Sequence, residues 1–324
     1  MKKSIVLDSP ARIHLGFLEM NDEAQRIFGS IGLTISKFRN ILKIEDNKDF
    51  LIEVENQLIK KRIHQIFKKL QKFKDLSRCR IKVLEYIPSH IGLGSGTQLS
   101  LATGYLISEF NEMNLSIDKI SSLLGRGKRS GVGIQSFKTG GFTLDSGKTR
   151  NSKSIPLTIF NNKWPDEWKI ILIFDERMSG VYGEEEVEKF EKIRRIDGNL
   201  VNINCGVVLM TILPAILEKN FKNFSKGIQI IQSNMSKTFY NSKKKFASEK
   251  IEIIFNYLQK KKILGYGQSS WGPTGFIFCE SSNKRNLLFK ELENYIKLKR
   301  FLGISLVKVD GRNKGSIKRI GSNL

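Results

Sequence analysis

Three glycine-rich stretches carry the residues whose types and spacing could do chemistry. In Pro88-Ser-His-Ile-Gly-Leu-Gly-Ser-Gly-Thr-Gln-Leu, Gly92, Gly94 and Gly96 let the backbone approach a ligand, while Ser95, Thr97 and Gln98 add polar groups beside it. A phosphate or pyrophosphate is the natural guest of such a loop when a helix follows, because the first turn of the helix has free N–H groups; a capped turn holding nothing is the competing reading. In Gly125-Arg-Gly-Lys-Arg-Ser-Gly-Val-Gly, Arg126, Lys128 and Arg129 lie among glycines, so they either converge on one anion or form a flexible basic loop. The third stretch is Gly265-Tyr-Gly-Gln-Ser-Ser-Trp-Gly-Pro-Thr. Outside these loops, Arg12 and His14 sit two residues apart in a strand-like segment, and Asp145 ends another strand. Arg12 and His14 would share one strand face, able to hold a phosphate or simply to meet solvent.

The elements that must position these groups follow from periodicity. Residues 4–20 alternate around Ala11 to Phe17 and predict a strand; Gly29 to Ile35 and Asn40 to Val54 predict further strands, the latter broken at 46–49. Leu58, Ile59, Ile63, Ile66, Phe67 and Leu70 predict a helix over 57–72. Ile81 to Leu84 leads into the first glycine loop, and Leu99, Leu101, Ala102, Tyr105, Leu106 and Phe110 continue it as a helix. A helix over 116–124 stops at Gly125, the basic loop runs to a strand at 141–145, and 151–156 is a polar link. Beyond it come a strand at 168–174, a helix opened by Glu184-Glu185-Glu186, and an apolar helix over 200–218 with Pro214 as a kink or break. Helices over 221–231 and 250–262, a strand at 275–279, a helix over 283–298 and a strand at 304–309 complete the chain. Strands and helices mix without a regular βαβ repeat, an α+β pattern.

Length and composition narrow the classes. A chain of 324 residues with 40% apolar side chains can bury two moderate cores, divided here as residues 1–153 and 154–324. Fifty-five Lys and Arg against 32 Asp and Glu give +23. The lysines are scattered in pairs and triplets with no aromatic-interleaved module or zinc spacing, so nucleic acid is not the expected partner, although a basic nucleic-acid-binding protein stays a third reading. The three cysteines are far apart and fit a reduced, cytoplasmic setting. No signal-like segment opens the chain, and the apolar run from Cys205 to Leu217 is too short to span a bilayer, so no membrane partner is expected.

Taken together, Ser9-Pro10-Ala11-Arg12, the Pro88 to Gly96 loop and the Gly265 to Pro273 loop resemble the three motifs of the GHMP kinase superfamily. Ala11-Arg12-Ile13-His14, Gly92-Leu-Gly-Ser-Gly-Thr-Gln-Leu, Gly125 to Gly133, Gly140-Gly-Phe-Thr-Leu-Asp and Gly267-Gln-Ser-Ser-Trp-Gly-Pro-Thr are most similar to one branch, the β-ribofuranosylaminobenzene 5′-phosphate synthases. The resemblance implies a two-lobed fold, with an N-terminal lobe like ribosomal protein S5 and a ferredoxin-like C-terminal lobe, and a homodimer. It implies ribosyl transfer from phosphoribosyl pyrophosphate to 4-aminobenzoate or 4-hydroxybenzoate with loss of pyrophosphate and carbon dioxide, aided by Mg²⁺, toward a methanopterin-type carrier. On that basis Arg12 or His14 would hold the 5′-phosphate or the carboxylate, and Arg126, Lys128 and Arg129 the pyrophosphate. Gln268, Ser269 and Ser270 would close over an anion, Trp271 would stack on the ring, and Asp145 would be the one first-lobe candidate for a metal. Two positions depart from the kinases: Gly96 replaces the second serine of Gly-Leu-Gly-Ser-Ser, and Gly133 replaces the aspartate that serves as base. An ATP-dependent small-molecule kinase is accordingly the alternative reading.

Overall fold

In the computed structural model, residues 4–19, 25–152, 154–178, 198–239, 246–270 and 272–321 are described. The helix expected to open at Glu184 and the side chain of Trp271 lie outside them. Two antiparallel sheets organise the chain. The first is built on two long strands, β1 (Ser4–Glu19) and β2 (Arg26–Asp46), with the order β12-β1-β2-β4-β3. β3 (Leu51–Glu53) and β4 (Cys79–Glu85) form its only parallel pair among the described residues. β5 (Phe142–Asp145) and the short β6 (Lys148–Thr149) also pair with β2, and β7 (Thr158–Asn162) pairs with β5. The second sheet has the order β11-β8-β10-β9, from β8 (Lys169–Asp175), β9 (Tyr266–Gln268), β10 (Gly275–Cys279) and β11 (Ile304–Asp310). β12 (Ile317–Ile320) returns to the outer edge of β1, so β7 and β12, both beyond residue 153, are strands of the first sheet.

The two segments expected as separate strands, 29–35 and 40–46, form the single β2. It bends past β1 through irregularities at Pro10/Arg12 and His14/Gly16, which set off the segment bearing Arg12 and His14. On one face of the sheet, α1 (Gln57–Gln71) and α2 (Ser95–Phe110) bury Ile59, Ile63, Ile66, Leu101 and Leu106 against Leu7, Leu42 and Ile81. Asn56 caps α1 by accepting the N–H groups of Leu58 and Ile59. The other face shares one apolar core with the second sheet, running from Ile13, Leu33 and Phe142 to Trp168, Leu172, Phe276 and Phe224. α3 (Ile117–Leu123) and α4 (Val132–Lys138) flank the basic loop. α4 was expected as loop.

α5 (Gly198–Leu217) starts earlier than the apolar run in the sequence and is long and apolar enough to cross a membrane by length and composition, which corrects the expectation based on Cys205 to Leu217. Its inner side, Val208, Ile212 and Ile216, belongs to the shared core. Pro214 donates no N–H and its ring crowds the preceding turn; the helix passes it through a π turn over Val208–Ile212 instead of breaking. α6 (Phe221–Phe239), α7 (Glu249–Lys260) and α8 (Ser282–Leu298) follow. α6 packs Phe224 and Ile228 into the shared core, whereas Ile254 of α7 and Leu292 of α8 cover the opposite face of the second sheet. Cys79 and Cys279 are buried and Cys205 is exposed, all three as free thiols.

Candidate active site

The first glycine loop is held from two sides. Gly94 caps α2 at φ 81°, and its carbonyl accepts the N–H groups of Thr97 and Gln98. Arg12 reaches it from β1: its main-chain N–H donates to Leu93 at 3.2 Å, Nη1 donates to the Gly92 carbonyl at 2.7 Å, and the guanidinium lies 3.1 Å from where a Gly94 Cβ would stand. The third loop closes from the opposite side. Ser269 is fully buried; its hydroxyl donates to the Gly92 carbonyl at 2.8 Å and accepts the His14 N–H at 3.1 Å. Thr274 donates to the Ile91 carbonyl. Gly92, at φ 89°, could carry no side chain, because a Cβ would stand 2.5 Å from the Ser269 carbonyl oxygen. Loops joined by hydrogen bonds across 177 and 183 residues of sequence thus form one rim around the start of α2.

His14 and Arg12 do share a strand face, but neither faces open solvent. Arg12 is half-buried and His14 is 3% exposed, with its ring 4.5 Å from that of Phe17. Its Nε2 has no hydrogen-bond partner among the described residues. Burial, and next the Arg12 guanidinium, lower its pKa from 6.5 to about 3. A neutral imidazole can give or take a hydrogen bond but contributes no charge to an anion.

Asp145 is fully buried and fully employed. One carboxylate oxygen accepts from the Ser30 hydroxyl at 2.6 Å, the Gly131 N–H at 2.9 Å and the Ser130 hydroxyl at 3.4 Å; the other accepts the Gly147 N–H at 2.9 Å. Burial pushes its carboxyl up against the pull of these four donors. The geometry makes it the anchor of the segment that leads into α4. Among the described residues no three His, Cys, Asp or Glu side chains cluster as a metal site.

Of the basic loop, Arg126 comes nearest the glycine loop: its Nη1 is 4.0 Å from the position of a Gly96 Cβ, with Arg126 itself half-buried. Lys128 is exposed and Arg129 half-buried. Gln98 is buried and docks α2 onto α4, its Nε2 donating to the Gly133 carbonyl at 2.7 Å. Ser95 and Thr97 stay half-buried in the first turn. A side chain at Gly133 would begin 3.1 Å from the Thr97 methyl, so α4 lies close against α2. Gln268 is engaged by the chain itself: its Oε1 accepts the Ala247 N–H at 2.6 Å, just ahead of α7, and its Nε2 donates to the Ser270 carbonyl at 2.9 Å. Ser270 is half-buried at φ 55°. The residue that sequence reasoning missed is Arg62 of α1, whose Nη1 donates to the Gly96 carbonyl at 3.2 Å.

Residues 57–141, from α1 to the start of β5, match the family of GHMP kinases N terminal domains. The chain is 31% identical over 321 residues to β-ribofuranosylphenol 5′-phosphate synthase of Methanocaldococcus jannaschii, covering 90% of this chain and 95% of that one. The enzyme of the same name from Methanothermobacter thermautotrophicus is 29% identical, with coverage of 83% and 87%. Among solved structures, mevalonate diphosphate decarboxylase from Staphylococcus aureus superposes over 98% of both chains with a TM-score of 0.68 at 17% identity, a likeness of fold alone. With all three glycine loops inside the span shared with the Methanocaldococcus protein, the chain belongs to the β-ribofuranosylphenol 5′-phosphate synthase family on the GHMP kinase fold.

Proposed function

We propose that the protein is a decarboxylating ribosyltransferase: it joins C1 of phosphoribosyl pyrophosphate to the ring carbon of 4-hydroxybenzoate or 4-aminobenzoate that bears the carboxylate. The bond from C1 to the pyrophosphate oxygen breaks and a carbon–carbon bond forms. The ring–carboxylate bond then breaks and returns its electron pair to the ring, releasing carbon dioxide. The observation that carries this reading is the similarity to the synthases over 90% of the chain. Gly133 supports it, because a reaction in which carbon dioxide leaves in place of a proton needs no strong base, and the position has no side chain to supply one.

In this reading the N–H groups of the Gly92 to Gly96 turn, with Arg126, stabilise charge on the departing pyrophosphate, and Lys128 and Arg129 add positive potential. The Arg12 guanidinium, half-buried beside the glycine loop, fits the 5′-phosphate or the carboxylate. His14, neutral, hydrogen-bonds and does not bind by charge. Ser269 braces the rim, leaving Ser270 and Trp271 to meet ligand. The described side chains form no cage for Mg²⁺; the ion would enter as a complex with diphosphate oxygens, where it would neutralise charge. The face of α5 exposing Ile203, Leu209, Met210 and Leu217 supports the homodimer, and the three free thiols support a cytoplasmic setting.

The test is release of pyrophosphate and carbon dioxide from phosphoribosyl pyrophosphate with carboxyl-labelled 4-hydroxybenzoate or 4-aminobenzoate, beside an ATP-only control. Equal release of both products with one benzoate is expected. ATP consumption with no carbon dioxide from either benzoate overturns the reading in favour of a kinase.

A further inference from the structure

α1 turns its apolar side, Ile59, Ile63, Ile66 and Phe67, into the core and packs against α2. Arg62 does not point away with the lysines of the same helix. It lies across the first turn of α2, half-buried, with one N–H on the Gly96 carbonyl and no ion pair among the described residues. Burial lowers its pKa from the usual arginine value, and nothing in its surroundings opposes the shift. A partly desolvated guanidinium without a counter-charge is unfavourable unless an anion joins it.

A second cation meets it there. The position of a Gly96 Cβ is 2.7 Å from Arg62 Nη1 and 4.0 Å from Arg126 Nη1, so α1 and the basic loop bring two guanidinium groups to one point beside the α2 turn. A side chain at position 96 would stand in the space that Arg62 fills. Two converging forks of N–H donors suit a diphosphate, whose several oxygens can take a bidentate contact from each.

We propose that Arg62 and Arg126 together bind the diphosphate of the ribosyl donor, and that position 96 is glycine so that Arg62 can reach it. The inference rests on the ribosyltransferase reading above and adds to it a ligand from α1.

The experiment is calorimetric titration of inorganic pyrophosphate with Mg²⁺ into the wild type and Arg62→Ala, Arg62→Lys, Gly96→Ser and Lys60→Ala, the last a loss of one exposed charge from the same helix. Arg62→Ala and Gly96→Ser are expected to weaken binding about 10-fold or more, and Arg62→Lys by less, since it keeps the charge and loses the fork. Lys60→Ala should bind like the wild type, and the KM for phosphoribosyl pyrophosphate should rise in the Arg62 variants without a change in that for the benzoate. Unfolding midpoints identify any variant that fails to fold, and Arg62→Lys then carries the comparison. Pyrophosphate binding by Arg62→Ala or Arg62→Lys equal to that of Lys60→Ala overturns the role of Arg62 alone. No binding by the wild type, with no carbon dioxide release, overturns the reading on which it rests.

Discussion

Replacing Ser269 by alanine tests whether the third loop braces the first or contacts ligand through this hydroxyl. The Ser269 hydroxyl makes two hydrogen bonds, one from the His14 N–H and one to the Gly92 carbonyl. Removing it leaves the His14 N–H buried without an acceptor, at a cost of about 1–3 kcal/mol. The Gly92 carbonyl still accepts from Arg12 Nη1 at 2.7 Å, so the second loss is smaller. Together the substitution should destabilise the protein by roughly 2–4 kcal/mol, a sizeable share of the ~5–15 kcal/mol typical of a folded domain. Ser270→Ala, which deletes a half-buried hydroxyl with no such pair of bonds, should change stability by less than about 0.5 kcal/mol. Equilibrium urea unfolding of the two variants and the wild type, with the m-value checked for constancy, measures the difference. If Ser269→Ala unfolds within about 0.5 kcal/mol of the wild type, the two loops are not joined through this hydroxyl and the rim described above is wrong.

The pH dependence of stability should carry the signature of His14. Its folded pKa, about 3, lies below the 6.5 of an ordinary imidazole, so between those values the unfolded chain binds more protons and stability falls as pH falls, by up to ~1.4 kcal/mol per unit. His14→Gln should flatten that part of the curve between pH 6.5 and 4.5; an unchanged slope in urea unfolding would show that the imidazole is not held neutral. Mg²⁺ titrated alone should give no measurable heat of specific binding, and binding should appear once pyrophosphate is present. A stoichiometric Mg²⁺ site in the absence of pyrophosphate would show that the chain supplies a metal cage of its own.

The strand, loop and helix around Gly92 were legible because glycine spacing and a change of hydrophobic period both mark the chain there, and the structure has α2 beginning at Ser95. Arg62 was hidden by its neighbours. In a helix bearing Lys60, Lys61, Lys68 and Lys69, one more cation reads as solvated surface, and only the docking of α1 on α2 distinguishes it. α4 was hidden by its length, since seven residues beginning next to glycine display too little of a 3.6-residue period. Asp145 looked available as a carboxylate at a strand end, and nothing local announces that Ser30, Ser130, Gly131 and Gly147 occupy it. Ser269 was expected to close over an anion, and the direction of its hydroxyl depends on His14, 255 residues away. Side-chain roles set by distant partners were the part that periodicity could not reach.

The pairing of β12 with β1 has a consequence for synthesis. Ile5 is opposite Ile320 and Asp8 opposite Ile317, while Arg312 holds Asp8 at 2.9 Å. The first strand made by the ribosome therefore finds one of its two neighbours early, in β2, and the other only after some 300 further residues have emerged. Until then the outer edge of β1 presents unpaired N–H and C=O groups for most of translation. Such an edge is a template for contacts with other nascent chains, and a pairing of this sequence separation is slow to close. Premature termination just ahead of residue 317 would leave nearly every residue of the active-site rim present on a chain whose first strand never acquires its last partner.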